Sequence, residues 1–227
     1  MASLGTVEDL ARAIAAQTRN VRALARHGWS VPMRATPAQL PTNLGRRTAE
    51  GIDTWFVEFY SADEGAMFNE VRRATLANRD LERWHGVLHQ AYEAYDREHF
   101  LVAVPALLAV SEGVVAAVGG VLDRKAKVDA VLDARGKREP ENSFRRLVVA
   151  SLREVVGAVF ASQHFGGDPP AFMNRHWILH GREMQQVTQA DCLRVVQLVD
   201  GLATFIGEVP NESNQYVHLT RGYAARS

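Results

Sequence analysis

The chain has 227 residues, 47% of them apolar and 23% charged, with 26 basic side chains against 26 acidic ones. That length and composition support a sizeable core in one large domain, with or without a terminal extension, and exclude disordered, collagen-like and disulfide-stapled chains. A net charge of zero excludes a globally basic nucleic-acid binder but hides uneven patches. Residues 1–50 carry seven arginines against three acids, and residues 51–100 carry five against ten. The single cysteine, Cys192, cannot form an internal disulfide or build a cysteine-based zinc site, and its apolar neighbours place it in a core. The first residues hold acids where a secretory signal carries positive charge. The longest apolar stretch, Phe100 to Leu122, is interrupted by Glu112 and a glycine pair, so it reads as a core helix rather than a membrane span. The expectation is a soluble, cytoplasmic protein with no membrane association.

Apolar positions recur at helical spacing along the chain, and strand-like alternation is nearly absent. Val7, Leu10, Ile14, Val21 and Leu24 predict a first helix over 6–27, ended by Gly28. Pro32, Pro37, Pro41 and Gly45 then mark residues 28–45 as a long surface loop. Ile52, Trp55, Phe56 and Phe59 predict a helix over 47–60, with helical pattern resuming after Asp63 to about Leu76. Asn78 or Asp80 opens a further helix bearing Leu81, Trp84, Leu88 and Tyr95. His99 to Val118 predicts a fully packed helix in which Pro105 is tolerable only near the start or at a kink. A mixed-charge segment, 121–138, precedes a helix over 142–164. Gly166 to Pro170 is the sharpest break in the chain, and Thr188 to Asp191 matches a capping box opening a helix over 189–207. The tail from Pro210 is polar. The fold class expected is all-α, an antiparallel helical bundle. Residues 1–60 form a helical extension with a proline-rich loop, residues 61–209 the bundle and residues 210–227 a mobile tail.

The segment Asn174-Arg175-His176-Trp177-Ile178-Leu179-His180-Gly181 carries the clearest chemistry. On a helix, His176 and His180 lie four apart on one face, with Arg175 one step round. A guanidinium grips phosphate through two parallel bonds and stays charged, while an imidazole takes or gives a proton near neutrality. Glu112 interrupts an otherwise apolar helix, so its carboxylate needs a partner, and Arg175 is a plausible one. Arg138, Arg145 and Arg146, with Arg135 and Lys137, form a basic cluster able to follow an RNA backbone, although Glu139 and Glu141 interleave with it and favour a solvated loop. His85 and His89 with Glu82, Glu93 and Asp96 make a metal-like stripe that a solvated helix face explains as well. A zinc site at His176 and His180 would need Asp168 or Glu183 as third ligand. Trp84, Tyr92 and Tyr95 could stack bases, but their helical spacing favours core packing.

The Arg175-His176-x-x-x-His180 spacing resembles the signature of the HEPN superfamily, all-α domains that include many metal-independent ribonucleases. That signature places a histidine four to six residues after the arginine, and four Arg–His pairs in the chain fall in this range. The pair at 175 and 180 stands apart because it follows Asp168-Pro169-Pro170, has a polar residue after the arginine and precedes the last packed helix. Upstream, Tyr95 to Gly113 resembles the helix that pairs with the motif helix in that superfamily, and the likeness extends over roughly Leu81 to Phe205.

The resemblance implies a HEPN-like four-helix core and cleavage of RNA through attack of the ribose 2′-OH, without metal or cofactor. Arg175 would hold the scissile phosphate and His180 would act as general base or acid, with His176, Asn174 and Glu112 in supporting positions. It also implies a homodimer whose two motifs line one cleft, a role as toxin or antiviral effector, and a protein partner that inhibits or triggers it. The alternative is a HEPN-fold module that binds RNA, nucleotide or protein without catalysis.

Overall fold

The helical periodicity is realised as eight α-helices with no strand among the described residues, and the fold is an all-α bundle. The computed structural model describes residues 7–119, 124–141, 143–162, 173–182 and 187–206. The helices are α1 (Val7–Arg26), α2 (Ala49–Ala77), α3 (His85–Asp96), α4 (Phe100–Gly119), α5 (Arg124–Arg138), α6 (Phe144–Val159), α7 (Arg175–Leu179) and α8 (Gln189–Ile206). At the centre α4 packs against α8, α3 and α5, while α8 also meets α2 and α6. On the far side, α6 meets α5 and α1. The punctuation at 166–170 and the tail from 210 lie outside the described residues.

Local chemistry sets several helix starts. Thr48 caps α2 by accepting from the Gly51 amide at 3.1 Å, and Ser143 caps α6 by accepting from Arg146 at 3.1 Å. The expected capping box at α8 is present in both directions. The Thr188 amide donates to Asp191 at 2.9 Å, and the Asp191 amide donates to the Thr188 hydroxyl at 3.2 Å. The break expected at Asp63 is a sharp kink inside α2, where Asp63, Glu64 and Gly65 take φ of 51°, 57° and 75°. Pro105 sits in the second turn of α4, where it removes the amide that would bond the carbonyl of exposed Leu101, so water can satisfy that group.

Residues 28–45 correct the sequence-based expectation. They are not simply a surface loop: Trp29, Val31, Leu40 and Leu44 are buried while Thr36, Ala38, Gln39, Thr42 and Asn43 are exposed, and Trp29 stacks on Phe56 with ring centroids 3.9 Å apart. Buried backbone without regular structure needs partners, and polar side chains on the helices supply them. Ser151 accepts from the Val31 amide at 2.8 Å, Gln17 donates to the Leu40 carbonyl at 2.8 Å, and Asn20 donates to the Pro41 carbonyl at 3.1 Å. Arg34 reaches across to α8 and forks onto Asp200, with contacts of 2.7 to 3.2 Å. Prolines report non-helical backbone; they carry no information about depth. The expected boundary at 60/61 falls inside α2, and side chains from both sides of it enter one core.

By length and composition alone, α4 is apolar enough to cross a membrane. Here Ala103, Val104, Leu107, Leu108, Val114 and Val115 are buried among neighbouring helices, as a core helix requires.

Candidate functional site

The site is built on α7, a single helical turn held at both ends. At its start Asn174 is buried, and its Oδ1 accepts from the amides of His176 at 2.9 Å and Trp177 at 3.4 Å. Its Nδ2 donates to the Ala161 carbonyl at 3.0 Å, just past the end of α6. One side chain therefore both caps α7 and moors it to α6. Trp177 and Ile178 are buried beneath the turn. At its end Gly181 takes φ of 69°, the left-handed region that favours glycine. The Gly181 amide donates to the Ile178 carbonyl at 3.0 Å and the Arg182 amide to the Trp177 carbonyl at 2.9 Å, a Schellman closure. Asn174 and Gly181 thereby fix the three side chains between them.

Those side chains form one polar edge. Arg175 Nη1 lies 2.7 Å from a carboxylate oxygen of Glu112 on α4, so the acid that interrupts the apolar helix meets an arginine there. The guanidinium carbon also lies 5.3 Å from the centroid of the Phe160 ring, a cation–π contact at the end of α6. The rings of His176 and His180 meet edge to face, with centroids 4.7 Å apart. Desolvation, with the nearby His180 and Arg175, holds His176 below the usual histidine range, so it stays neutral at pH 7. His180, the C-cap residue, is exposed. The arrangement supplies a fixed cation beside two imidazoles, enough to bind an oxyanion and move protons next to it.

The other expected residues do not join this edge. Arg145 pairs with Glu139 at 3.0 Å, and Glu139 also takes Arg135 at 3.3 Å. Arg146 lies in the first turn of α6 and Arg138 ends α5. α6 has sixteen residues, so its first turn and the α7 anchor are about 24 Å apart along its axis. The stretch 135–138 is the last turn of α5, a correction to the solvated loop expected there. His85 lies within hydrogen-bond distance of the Asn78 carbonyl at 3.1 Å, and His89 pairs with Glu93 at 3.3 Å. No group of three or more metal-ligating side chains is present among the described residues. Asp168 and Glu183 lie outside them. Tyr92 is buried with its hydroxyl 2.7 Å from that of Thr75, and Tyr95 stacks on Phe68 at 4.2 Å, as core packing requires. Cys192 is fully buried, and burial pushes its thiol far above the usual range, so it is chemically quiet.

Two parts of the site were invisible in the sequence. Phe160 gives no signal as an arginine platform, because it completes a regular apolar stripe. Asn174 reads as a motif residue, whereas its bond to Ala161 makes it the mooring of the turn. Comparison of the chain with protein-family models, curated proteins and solved structures finds no match in any of the three.

Proposed function

We propose that the protein is a metal-independent endoribonuclease of HEPN type, acting as a toxin or antiviral effector. The observation that carries this reading is the α7 edge itself: Arg175 and two histidines with rings 4.7 Å apart, on a turn moored at both ends. Arg175 holds the scissile phosphate and offsets the charge gained in the transition state. A neutral imidazole takes the proton from the ribose 2′-OH, and the freed oxygen attacks phosphorus. The bond to the 5′-oxygen breaks, and that oxygen takes a proton from an imidazolium. The products end in a 2′,3′-cyclic phosphate and a 5′-OH. His180 is the exposed imidazole best placed to meet substrate, and His176 and Asn174 support it. A homodimer that brings two such turns to one cleft fits this chemistry, as does a protein partner that restrains it.

The test is end-group analysis of RNA incubated with the protein in EDTA. Cyclic phosphate ends from wild type, absent with His180→Ala, are expected; wild-type products with 3′-OH ends contradict the mechanism.

One observation favours a second reading, a module that binds without cutting. Arg175 already holds Glu112 at 2.7 Å, so a phosphate must compete with a carboxylate for the guanidinium. In that case RNA binds to the intact protein, no product forms at any pH, and His180→Ala leaves affinity unchanged.

A further inference from the structure

Between residues 10 and 49 the chain has seven arginines and no acidic residue. One of them, Arg34, turns inward to Asp200. The others have a common direction. Arg12, Arg19, Arg22 and Arg26 of α1 are all exposed, and at 100° per residue they fall within an arc of about 80°. From first to last they span about 21 Å. The opposite face of α1 is in the core through Val21, Leu24 and Ala25. A short 3-10 turn, Leu44–Arg46, packs on the same helix. Its Gly45 approaches so closely that a Cβ there would lie 2.9 Å from Ala23 Cβ and from Asn20 Oδ1. Ala23 follows Arg22 and lies one turn beyond Arg19. The packing of Gly45 therefore sets exposed Arg46 and Arg47 at the flank of the arginine stripe.

This arrangement does not favour the fold. Arg19 and Arg22 are three apart, and Arg22 and Arg26 four apart, so like charges face each other along the helix, an arrangement that weakens it. No carboxylate pairs with Arg19, Arg22, Arg26, Arg46 or Arg47 among the described residues. Every cation here is arginine, whose planar fork matches phosphate oxygens two at a time. Neighbouring guanidinium groups arise from Cβ atoms about 5–6 Å apart, a regular row suited to a regular row of phosphates. A lipid surface is the weaker match, because a helix that lies on a membrane needs a free apolar face and that of α1 is buried.

We infer that α1 and the turn at 44–47 form a binding track for the phosphodiester backbone of a nucleic acid, engaged by Arg19, Arg22, Arg26, Arg46 and Arg47 and separate from the α7 edge. Binding is electrostatic and independent of base sequence, and it does not require that the α7 turn cut RNA.

The test uses the full chain and a fluorescent single-stranded DNA oligonucleotide, which lacks the 2′-OH and so cannot be cut by the proposed α7 mechanism. Anisotropy titrations over a range of salt give the slope of log K against log salt concentration, about −0.7 per phosphate neutralised and hence about −3.5 for five arginines. In the Arg19→Ala/Arg22→Ala/Arg26→Ala variant the slope is expected to flatten by about 2. Circular dichroism of that variant should show the helix content of wild type, and the single variant Arg22→Ala should melt no lower than wild type, since it removes a like-charge contact. An unchanged slope in the triple variant overturns the inference. So does binding of poly-glutamate, or of phosphatidylcholine–phosphatidylserine vesicles, as tight as that of the oligonucleotide. RNA left intact by wild type, with this binding present, would instead count against the α7 chemistry alone.

Discussion

Asn174, expected in a supporting position beside the motif, holds α7 in place through two sets of hydrogen bonds. Its carbonyl oxygen caps α7 and its amide nitrogen holds the end of α6, so Asn174→Ala removes a cap and the tie to a part-buried carbonyl at once. A loss of about 1–2 kcal/mol in stability is expected from the cap alone, read as a lower urea midpoint at unchanged m-value. His176 makes a sharper test of the local electrostatics. Because its midpoint lies below 6.5, the folded state binds fewer protons than the unfolded chain as pH falls through that value. The contribution of His176 to stability therefore declines from about pH 6.5 down to its own midpoint and is flat below it. An NMR titration of the imidazole Cε1–H should place the midpoint below 6.5, and His180→Ala should raise it by removing a positive neighbour. A midpoint above 6.5 would mean that desolvation and its cationic neighbours do not govern this ring. Glu112 was legible for a related reason: a carboxylate inside an apolar helix demands a partner. Phe160 was not, because a cation–π contact between α6 and α7 leaves no trace in either stripe.

At the scale of elements, helix existence followed from periodicity and helix ends from local chemistry, as at the capping box of Thr188 and Asp191. Terminations that use ordinary residues in unusual conformations were hidden. α3 closes through Glu98 at φ of 57°, with the Glu98 amide donating to the Tyr95 carbonyl at 2.9 Å and the His99 amide to the Ala94 carbonyl at 2.8 Å. This is the hydrogen-bond pattern of a Schellman closure with a glutamate where glycine is preferred. Glu98→Gly should therefore stabilise the protein by about 1 kcal/mol, seen as a higher melting temperature. A fall would show that the glutamate side chain contributes more than its backbone strain costs. The burial of Trp29, Val31, Leu40 and Leu44 within residues 28–45 was hidden for a different reason. The partners of this segment, Gln17, Asn20, Ser151 and Gln197, are distant in sequence, and polar residues on helices ordinarily signal an exposed face.

Across the whole molecule, the N-terminal third and the bundle share one core, and Arg34 joins them. Its fork onto Asp200, a side chain 4% exposed, spans 166 positions of sequence and bonds a buried carboxylate that desolvation pushes toward protonation. Arg34→Met leaves that carboxylate unpaired, and a loss of about 3–5 kcal/mol is expected at neutral pH. Since the folded-state midpoint of Asp200 is raised, the penalty should shrink as pH falls and Asp200 takes a proton, and Asp200→Asn in the same chain should recover much of it. A penalty equal at pH 5 and pH 7.5 would contradict the pairing as its source. Global folding by urea, followed at both pH values, decides the matter. The integrated N-terminal third also gives the arginine stripe of α1 a rigid base, where a loose extension would have let it collapse onto acids.

In the proposed mechanism Arg175 and His180, presented on one anchored turn, cleave RNA without a metal. The most direct measurement is the single-turnover rate on one labelled RNA in excess EDTA, for wild type, Arg175→Ala and His180→Ala, each shown to be folded by its melting curve. Cleavage by wild type that falls by about 10²–10⁴-fold in His180→Ala, and is lost likewise in Arg175→Ala, is expected. Equal rates in all three folded proteins, or wild-type cleavage abolished by EDTA, would contradict it.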